Sequence, residues 1–440
     1  MTVIAPDDLH ARVERLARAL AAARPRLRVA GLVADNGPDW IVADLAAERA
    51  GVVLVPLPAF FTHAQLEHAA AQTGMDSVLG APLAGFQSAG MIEGIAWWRR
   101  AAIPAALPRG TSKVTFTSGT TGTPKGVPLT GAGQWAVARS LAQATRELRL
   151  RRHLCLLPLA LLLENVAGVY APLAAGMEFC VPPLAETGLR GSSGFDPVAC
   201  LAAIERWEAE SVILLPQMLA ALCAALERGA PRPEKLRFAA VGGAKVSTAL
   251  IERARSLGLP AYEGYGLSEC ASVVALNLPA ADRVGSVGRA LAHAAIEIVN
   301  GEVHVNGTPT GDLGRLDADG FLYIEGRRKH VLITSYGRNV SPEWPEAELL
   351  AGRAIAQAAV FGEARAALCA VLVPAPGASA AAVEAQVRAA NERLPDYARV
   401  ASWLSADEPF SPRNGFATAN GRARRDALWK AYGERLDALL

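Results

Sequence analysis

The sequence predicts an α/β protein in which a large layered core precedes a smaller C-terminal unit. Apolar runs closed by turn residues alternate with segments of helical period over most of the chain, which points to layers of sheet and helix. From about Ala295 the texture changes to short alternating strands, IEIVNGEVHVNG. After Gly326 a charged run, RRKH, opens a unit rich in Ala, Val and Glu. We therefore expect a core over 1–326, a joint at 327–329 and a C-terminal unit over 330–440. At 440 residues the chain exceeds one ordinary domain.

The elements follow in order. Leu9, Val13, Leu16 and Leu20 recur at helical spacing and predict a helix from Pro6 or Asp7 to about Ala23. RVAGLVADN predicts a strand ending in a turn, WIVADLAAERAG a helix closed by Gly51, and VVLVPLP the next strand. HLCLLPL, SVILLPQ and LRFAAVGGA are further apolar runs read as strands. Asn300–Gly301 is a hairpin signal, and the Ala-rich Pro374–Ala382 reads as a surface loop entering a helix.

Composition excludes several classes. Hydrophobic residues make up 51% and charged residues 20%, which fits a buried globular enzyme. A net charge of +2 gives no bulk attraction to nucleic acid or anionic membrane. Six scattered cysteines form no CxxC pair, which argues against a zinc site or a disulfide framework and suits the reducing cytoplasm. The N-terminus lacks the apolar core of a signal peptide, and no apolar run is long enough to span a bilayer. The seven histidines are dispersed without metal-ligand spacing.

Val114–Val127, VTFTSGTTGTPKGV, carries the most chemistry. Val114, Thr115 and Phe116 read as a short buried strand. It leads into ten residues with three glycines, five hydroxyls and Lys125. Glycines let backbone approach a ligand, and successive N–H groups form an anion-binding concavity. Thr117, Ser118, Thr120 and Thr121 add donors around Gly119 and Gly122, and Lys125 adds a point charge suited to phosphate. This loop is built for a polyphosphate. It is not the GxxxxGK[ST] loop, because Lys125 lies between Pro124 and Gly126.

Three further strings stand downstream. LRFAAVGGAKVS ends a strand in a Gly242–Gly243–Ala244 turn, YEGYGLSE spans Tyr262–Glu269, and GDLGRLDADGFLYIEGRRKH spans Gly311–His330 with DADG as a hairpin turn. Alone, YEGYGLSE reads equally well as an ordinary turn. With the phosphate loop, in this order and with Glu269 lying 144 residues after Lys125, the set resembles the adenylate-forming superfamily of acyl- and aryl-CoA synthetases, peptide-synthetase adenylation domains and luciferases.

The resemblance implies a multi-layer α/β N-terminal core with mixed sheets and a small mobile α+β C-terminal lid. It implies ATP as substrate and Mg²⁺ held by Glu269. Gly243 and Ala244 would meet the adenine; Gly264, Tyr265 and Gly266 would line the nucleotide, with Tyr265 against the purine and Ser268 toward the α-phosphate. Asp312 would accept from the ribose hydroxyls, with Ile324 and Arg327 on the same side and Lys329 as the hinge. Ser335–Glu346 would line the thioester tunnel, with Gly337 passing a pantetheine.

Three departures accompany it. The chain begins close to the first family helix. Leu161 stands where many members carry a histidine or aromatic residue beside the acyl carboxylate. In NGFATANGRARR, Arg422 takes the place of the adenylation lysine, and its planar fork differs from a compact ammonium. Glu164 is the lone acid of LPLALLLENVAGVY, which favours an apolar fatty or aryl acid over an amino acid and suggests fatty acid metabolism. Three readings stay open at this point: transfer of the acyl group to CoA, transfer to a carrier-protein thiol or an amine, and a nucleotide sensor with weakened catalysis.

Overall fold

Strand and helix alternate from the first residues that can be placed. The computed structural model describes residues 6–59, 61–102, 105–117, 124–190, 194–335, 338–418 and 421–439. The chain forms two units. One comprises Met1–Ile213, Pro233–Arg237 and Gly266–Val273; the other comprises Leu214–Arg232, Phe238–Tyr265 and Val274–Leu440. Among the described residues no helix is long and apolar enough to cross a membrane.

In the first unit α1 (Pro6–Ala22) buries Leu9, Val13, Leu16 and Leu20, the residues its period singles out. Next come β1 (Val29–Val33), α2 (Pro38–Ala50) and β2 (Val53–Pro56). Gly51 ends α2 at φ 68°, a conformation glycine adopts without strain, and its N–H returns to the Ala47 and Glu48 carbonyls. A Thr62–Gln65 capping box starts α3 (His63–Thr73). β3 (Ser77–Gly80), β4 (Gln87–Ile92), β5 (Ile95–Arg99), β6 (Thr111–Thr117) and β7 (Lys125–Thr130) complete a seven-stranded sheet. Its order is β4-β5-β3-β1-β2-β6-β7, parallel at its centre and antiparallel toward both edges. Val55, Val78, Val114 and Phe116 pack with Ala69 and Ala70 of α3 in one apolar cluster.

HLCLLPL departs from expectation, because only Arg152–Leu154 is strand. Side chains take over the backbone groups that follow. Glu164 accepts from the Leu157 N–H at 3.0 Å. Asn36 donates to the Leu157 carbonyl and accepts from the Leu159 N–H, both at 2.8 Å. The run stays buried without continuing the ladder.

In the second unit Phe238–Val241 pairs in parallel with the start of Ala261–Leu267. Ile296–Val299 and Glu302–Val305 form the expected hairpin, and Asn300 and Gly301 both take positive φ, 50° and 76°. Thr308–Leu316 and Leu322–Arg327 extend it to four antiparallel strands. The C-terminal part is a three-stranded mixed sheet. Ala358, Val360, Ala370 and Leu372 face a core containing Val383 and Val387 of the helix Ala380–Glu392. Ala359, Phe361, Cys369 and Val371 face Leu428, Tyr432 and Leu436 of the helix Arg425–Asp437. Burial on both faces explains why these strands read as unbroken apolar runs. Ser379 caps the helix Ala380–Glu392, so the Ala-rich segment is the loop and helix start expected of it.

Candidate active site

The site residues fall into two clusters, each within one unit. In the first unit β6 and β7 pair antiparallel with Thr117 opposite Lys125, so the strand ends flank the glycine-hydroxyl segment. Ser118, Gly119, Thr120, Thr121 and Gly122 lie outside the described residues, as does Gly337. Lys125 is exposed, and Thr117 donates to its carbonyl at 3.4 Å. The short turn Ser268–Cys270 packs against β7 and carries an exposed Glu269. Glu269 makes no ion pair among the described residues, so a hard oxygen donor stands free beside the strand that Lys125 begins. That suits Mg²⁺, which is held by one or two carboxylates plus substrate phosphates. The backbone after Glu269 is strained, with φ 60° at Ala271 and 119° at Ser272. Gly266 is obligatory beside it, because a Cβ there would lie 2.1 Å from the Ser272 carbonyl oxygen.

The second unit holds Asp312. The antiparallel register sets Asp312 opposite Arg327, and Arg327 Nε reaches Asp312 Oδ1 at 2.7 Å. The Tyr265 hydroxyl donates to Oδ2 at 2.5 Å. Burial pushes the Asp312 carboxyl up, while the Arg327 charge and the Tyr265 hydrogen bond pull it back. Burial and the Asp312 charge push the Tyr265 phenol far up, which keeps it a donor. Gly243, at φ 83°, turns its carbonyl to Arg422, whose Nη2 donates at 2.5 Å. Ala244 is exposed in the same turn, and Gly264 packs against Leu276. Arg422 also feels the charges of Arg327, Asp312 and Glu343. Ile324 takes part through its carbonyl, which accepts from Lys245 Nζ at 2.8 Å. Lys329 lies in the turn Arg328–His330 that directly follows the Asp312–Arg327 pair.

Sequence reasoning missed Lys245, a half-buried ammonium one residue past the GGA turn, and Glu343, which opens the helix Glu343–Leu349. A charge directly after a glycine turn was the available signal for Lys245. Glu343 lies in the Ser335–Glu346 string, which gave no signal for its own carboxylate.

One histidine, His153, sits with Glu164 in a buried polar group. His153, Cys155 and Glu164 are buried together, with ligand atoms within 4.8 Å of one another. Each is already engaged: His153 by Ser211 at 3.0 Å and by Glu164 at 3.2 Å, Cys155 by the Gly168 carbonyl at 3.4 Å. A Cβ at Gly168 would overlap Glu164 Oε1 at 2.2 Å, so glycine there makes room for the pair. The cluster is a satisfied polar knot.

With this geometry in place, the comparisons decide the family. The AMP-binding enzyme model matches residues 7–320, and that of the AMP-binding enzyme C-terminal domain matches residues 329–440. The chain belongs to the AMP-binding enzyme family. It is 29% identical over 418 residues to a feruloyl-CoA synthase of Amycolatopsis sp, covering 82% of this chain and 81% of that one. The O-succinylbenzoate coenzyme A synthetase of Bacillus subtilis in complex with AMP superposes with a TM-score of 0.75 at 25% identity, covering 96% of this chain and 92% of that one. An anthranilate CoA ligase in complex with anthranoyl-AMP superposes with a TM-score of 0.79 at 18% identity, covering 99% and 93%. The fold is the family's α/β core followed by its C-terminal domain.

Proposed function

We propose that this chain is an AMP-forming acid–thiol ligase that activates an apolar carboxylic acid with ATP and passes the acyl group to CoA. The observation that carries it is Asp312, buried between Tyr265 and Arg327 with Arg422 close by. This is a ribose acceptor whose cationic neighbours also suit phosphate.

A carboxylate oxygen attacks the α-phosphorus, the α–β phosphoanhydride bond breaks, and pyrophosphate leaves. Thr117 and the glycine-hydroxyl segment hold the phosphates with Lys125. Glu269 is the residue that would hold Mg²⁺, which neutralises phosphate charge when bound. Arg422 spans the acid carboxylate and the α-phosphate, lowering the repulsion between two anions. The thiol then attacks the acyl carbonyl and AMP departs. Lys329 serves as the hinge between residues 1–326 and 330–440, and Gly337 lets the pantetheine pass.

The acid lacks an α-amino group. Leu159–Leu163 carries no aspartate, and Glu164 is fully buried and already occupied by Leu157 and His153. A buried ammonium without a partner costs several kcal/mol. The names of the relatives, feruloyl- and O-succinylbenzoate-CoA enzymes, support an aryl acid among the candidates. The unpaired cysteines support a cytoplasmic setting.

An ATP–pyrophosphate exchange screen tests the substrate class. Aryl or fatty acids should support exchange and the common amino acids little. A free amino acid that proves the best substrate by a wide margin would overturn it.

A further inference from the structure

Three segments of the C-terminal part meet at one carboxylate. Glu343 Oε1 accepts from His330 Nδ1 at 2.6 Å, in the turn that holds Lys329. Its Oε2 accepts from the Ser341 hydroxyl at 2.7 Å. Arg425 Nη1 reaches Oε1 at 3.5 Å, and Arg425 Nη2 binds both oxygens of Glu346 at 2.6 Å. Glu346 is itself fixed, accepting from the Val360 N–H at 2.8 Å. Gly326 allows the approach, because a Cβ there would lie 1.8 Å from Ser341 Oγ.

Arg425 is the first residue of the last helix and the root of the segment that presents Arg422. That segment is a small hairpin. The Arg424 N–H bonds the Phe416 carbonyl at 2.8 Å, the Arg422 N–H bonds Thr418 Oγ1 at 3.1 Å, and the Thr418 N–H bonds the Arg422 carbonyl at 2.7 Å. Arg425 is claimed by two carboxylates and is not available to bridge a substrate, whereas among the described residues Arg422 is held through this hairpin and one carbonyl.

We propose that Glu343 is a positioning residue for adenylation: by holding Arg425 and His330 at once, it fixes the Arg422 hairpin relative to the turn at Lys329. This rests on the functional reading above. The pairing is strong enough for the task. Burial alone would raise the Glu343 carboxyl, but His330, Arg425 and Ser341 outweigh it and leave the group charged, with a pKa of about 2. Glu343 also acts electrostatically on Asp312, Arg422 and Lys245, so its loss is felt at the nucleotide side without any contact there.

Glu343→Gln keeps the shape and removes the charge. ATP–pyrophosphate exchange should fall about tenfold or more, in kcat and not in KM, as expected when a reacting group is misplaced. Glu343 belongs to the Ser335–Glu346 loop, but its carboxylate is taken up by His330, Ser341 and Arg425, so thioester formation from pre-made acyl-AMP should change by less than about threefold, a shift under about 0.7 kcal/mol. Hydrogen exchange of the Arg422–Arg424 amides should speed up, with the helix Ala380–Glu392 unchanged. Equal losses in both half-reactions, or unaltered exchange at Arg422–Arg424, would overturn the proposal. If Glu343→Gln does not fold, Arg425→Lys, which keeps the charge but loses the fork, must show the same split or the proposal fails. Wild-type protein that exchanges pyrophosphate with no acid would overturn the functional reading instead, and hydrogen exchange would still decide the role of Glu343.

Discussion

In the proposed reaction Arg422 is the residue that would govern the adenylation step. Its guanidinium donates to the Gly243 carbonyl and feels the charges of Arg327 and Asp312, which motivates the proposed bridging of two anions. Arg422→Ala should slow adenylation about 100-fold, a barrier increase of about 2.7 kcal/mol, and leave thioester formation from acyl-AMP nearly untouched. Arg422→Lys should retain activity; pre-steady-state acyl-AMP formation measures both. Glu263 offers a test of burial on its own. It accepts from the Gly285 N–H, its Oε2 has no partner among the described residues, and burial pushes its carboxyl up to about 8. The folded value lies above the unfolded value of 4.5, so folding takes up a proton and stability is lost as pH rises from about 4.5 to 8. Glu263→Gln should therefore gain Tm over wild type progressively across that window and gain little at pH 4. A gap independent of pH in melting curves would contradict it. Asp312, Arg327 and Tyr265 were legible in the sequence because they sit inside recognisable strings. Lys245 and Glu343 stand inside such strings too, but their roles were not legible, since these arise from partners distant in sequence, the Ile324 carbonyl and the Arg425 guanidinium.

At the scale of elements, one buried charge decides how the strand before the phosphate loop is seated. Lys113 sits in β6 at 3% exposure, and its Nζ meets Asp44 of α2 at 2.7 Å and Asn165 at 2.5 Å. Asn165 in turn donates to Asp44 at 2.8 Å and begins the π-helical stretch Asn165–Tyr170. Asp44→Ala leaves the ammonium buried without its counter-ion and should cost about 3–5 kcal/mol. Asp44→Leu with Lys113→Met should recover most of the loss; urea melts of the three proteins measure it. If the double variant is as unstable as Asp44→Ala, packing and not charge governs the site. Propensity predicted β6 and the Asn300–Gly301 hairpin, because those signals are local. It overextended the strand at His153, where the competing partners are Asn36 and Glu164 side chains. A lysine in a strand rich in threonine gave no hint of an aspartate 69 residues earlier.

For the whole molecule the account requires two half-reactions and one joint. Lys329→Pro removes an N–H and restricts φ at that joint. Single-turnover acyl-AMP formation should stay within about tenfold, a shift of about 1.4 kcal/mol, while thioester formation collapses. Equal loss in both steps would mean that the residue is catalytic or that the fold was damaged. Strands such as Ser77–Gly80 and Gln87–Ile92 were not read from the sequence, whereas the order of the motifs was legible because each string carries its own turn chemistry. The identity of the acid was not, since an apolar pocket is a shape assembled from many segments. The claim on which everything else depends is that the acid oxygen attacks the α-phosphorus of ATP. Isotope transfer tests it most directly: an aryl or fatty acid labelled with ¹⁸O in its carboxylate, incubated with ATP and CoA, should place one labelled oxygen in AMP. Label in inorganic phosphate, or acyl-CoA formed alongside unlabelled AMP, would contradict it.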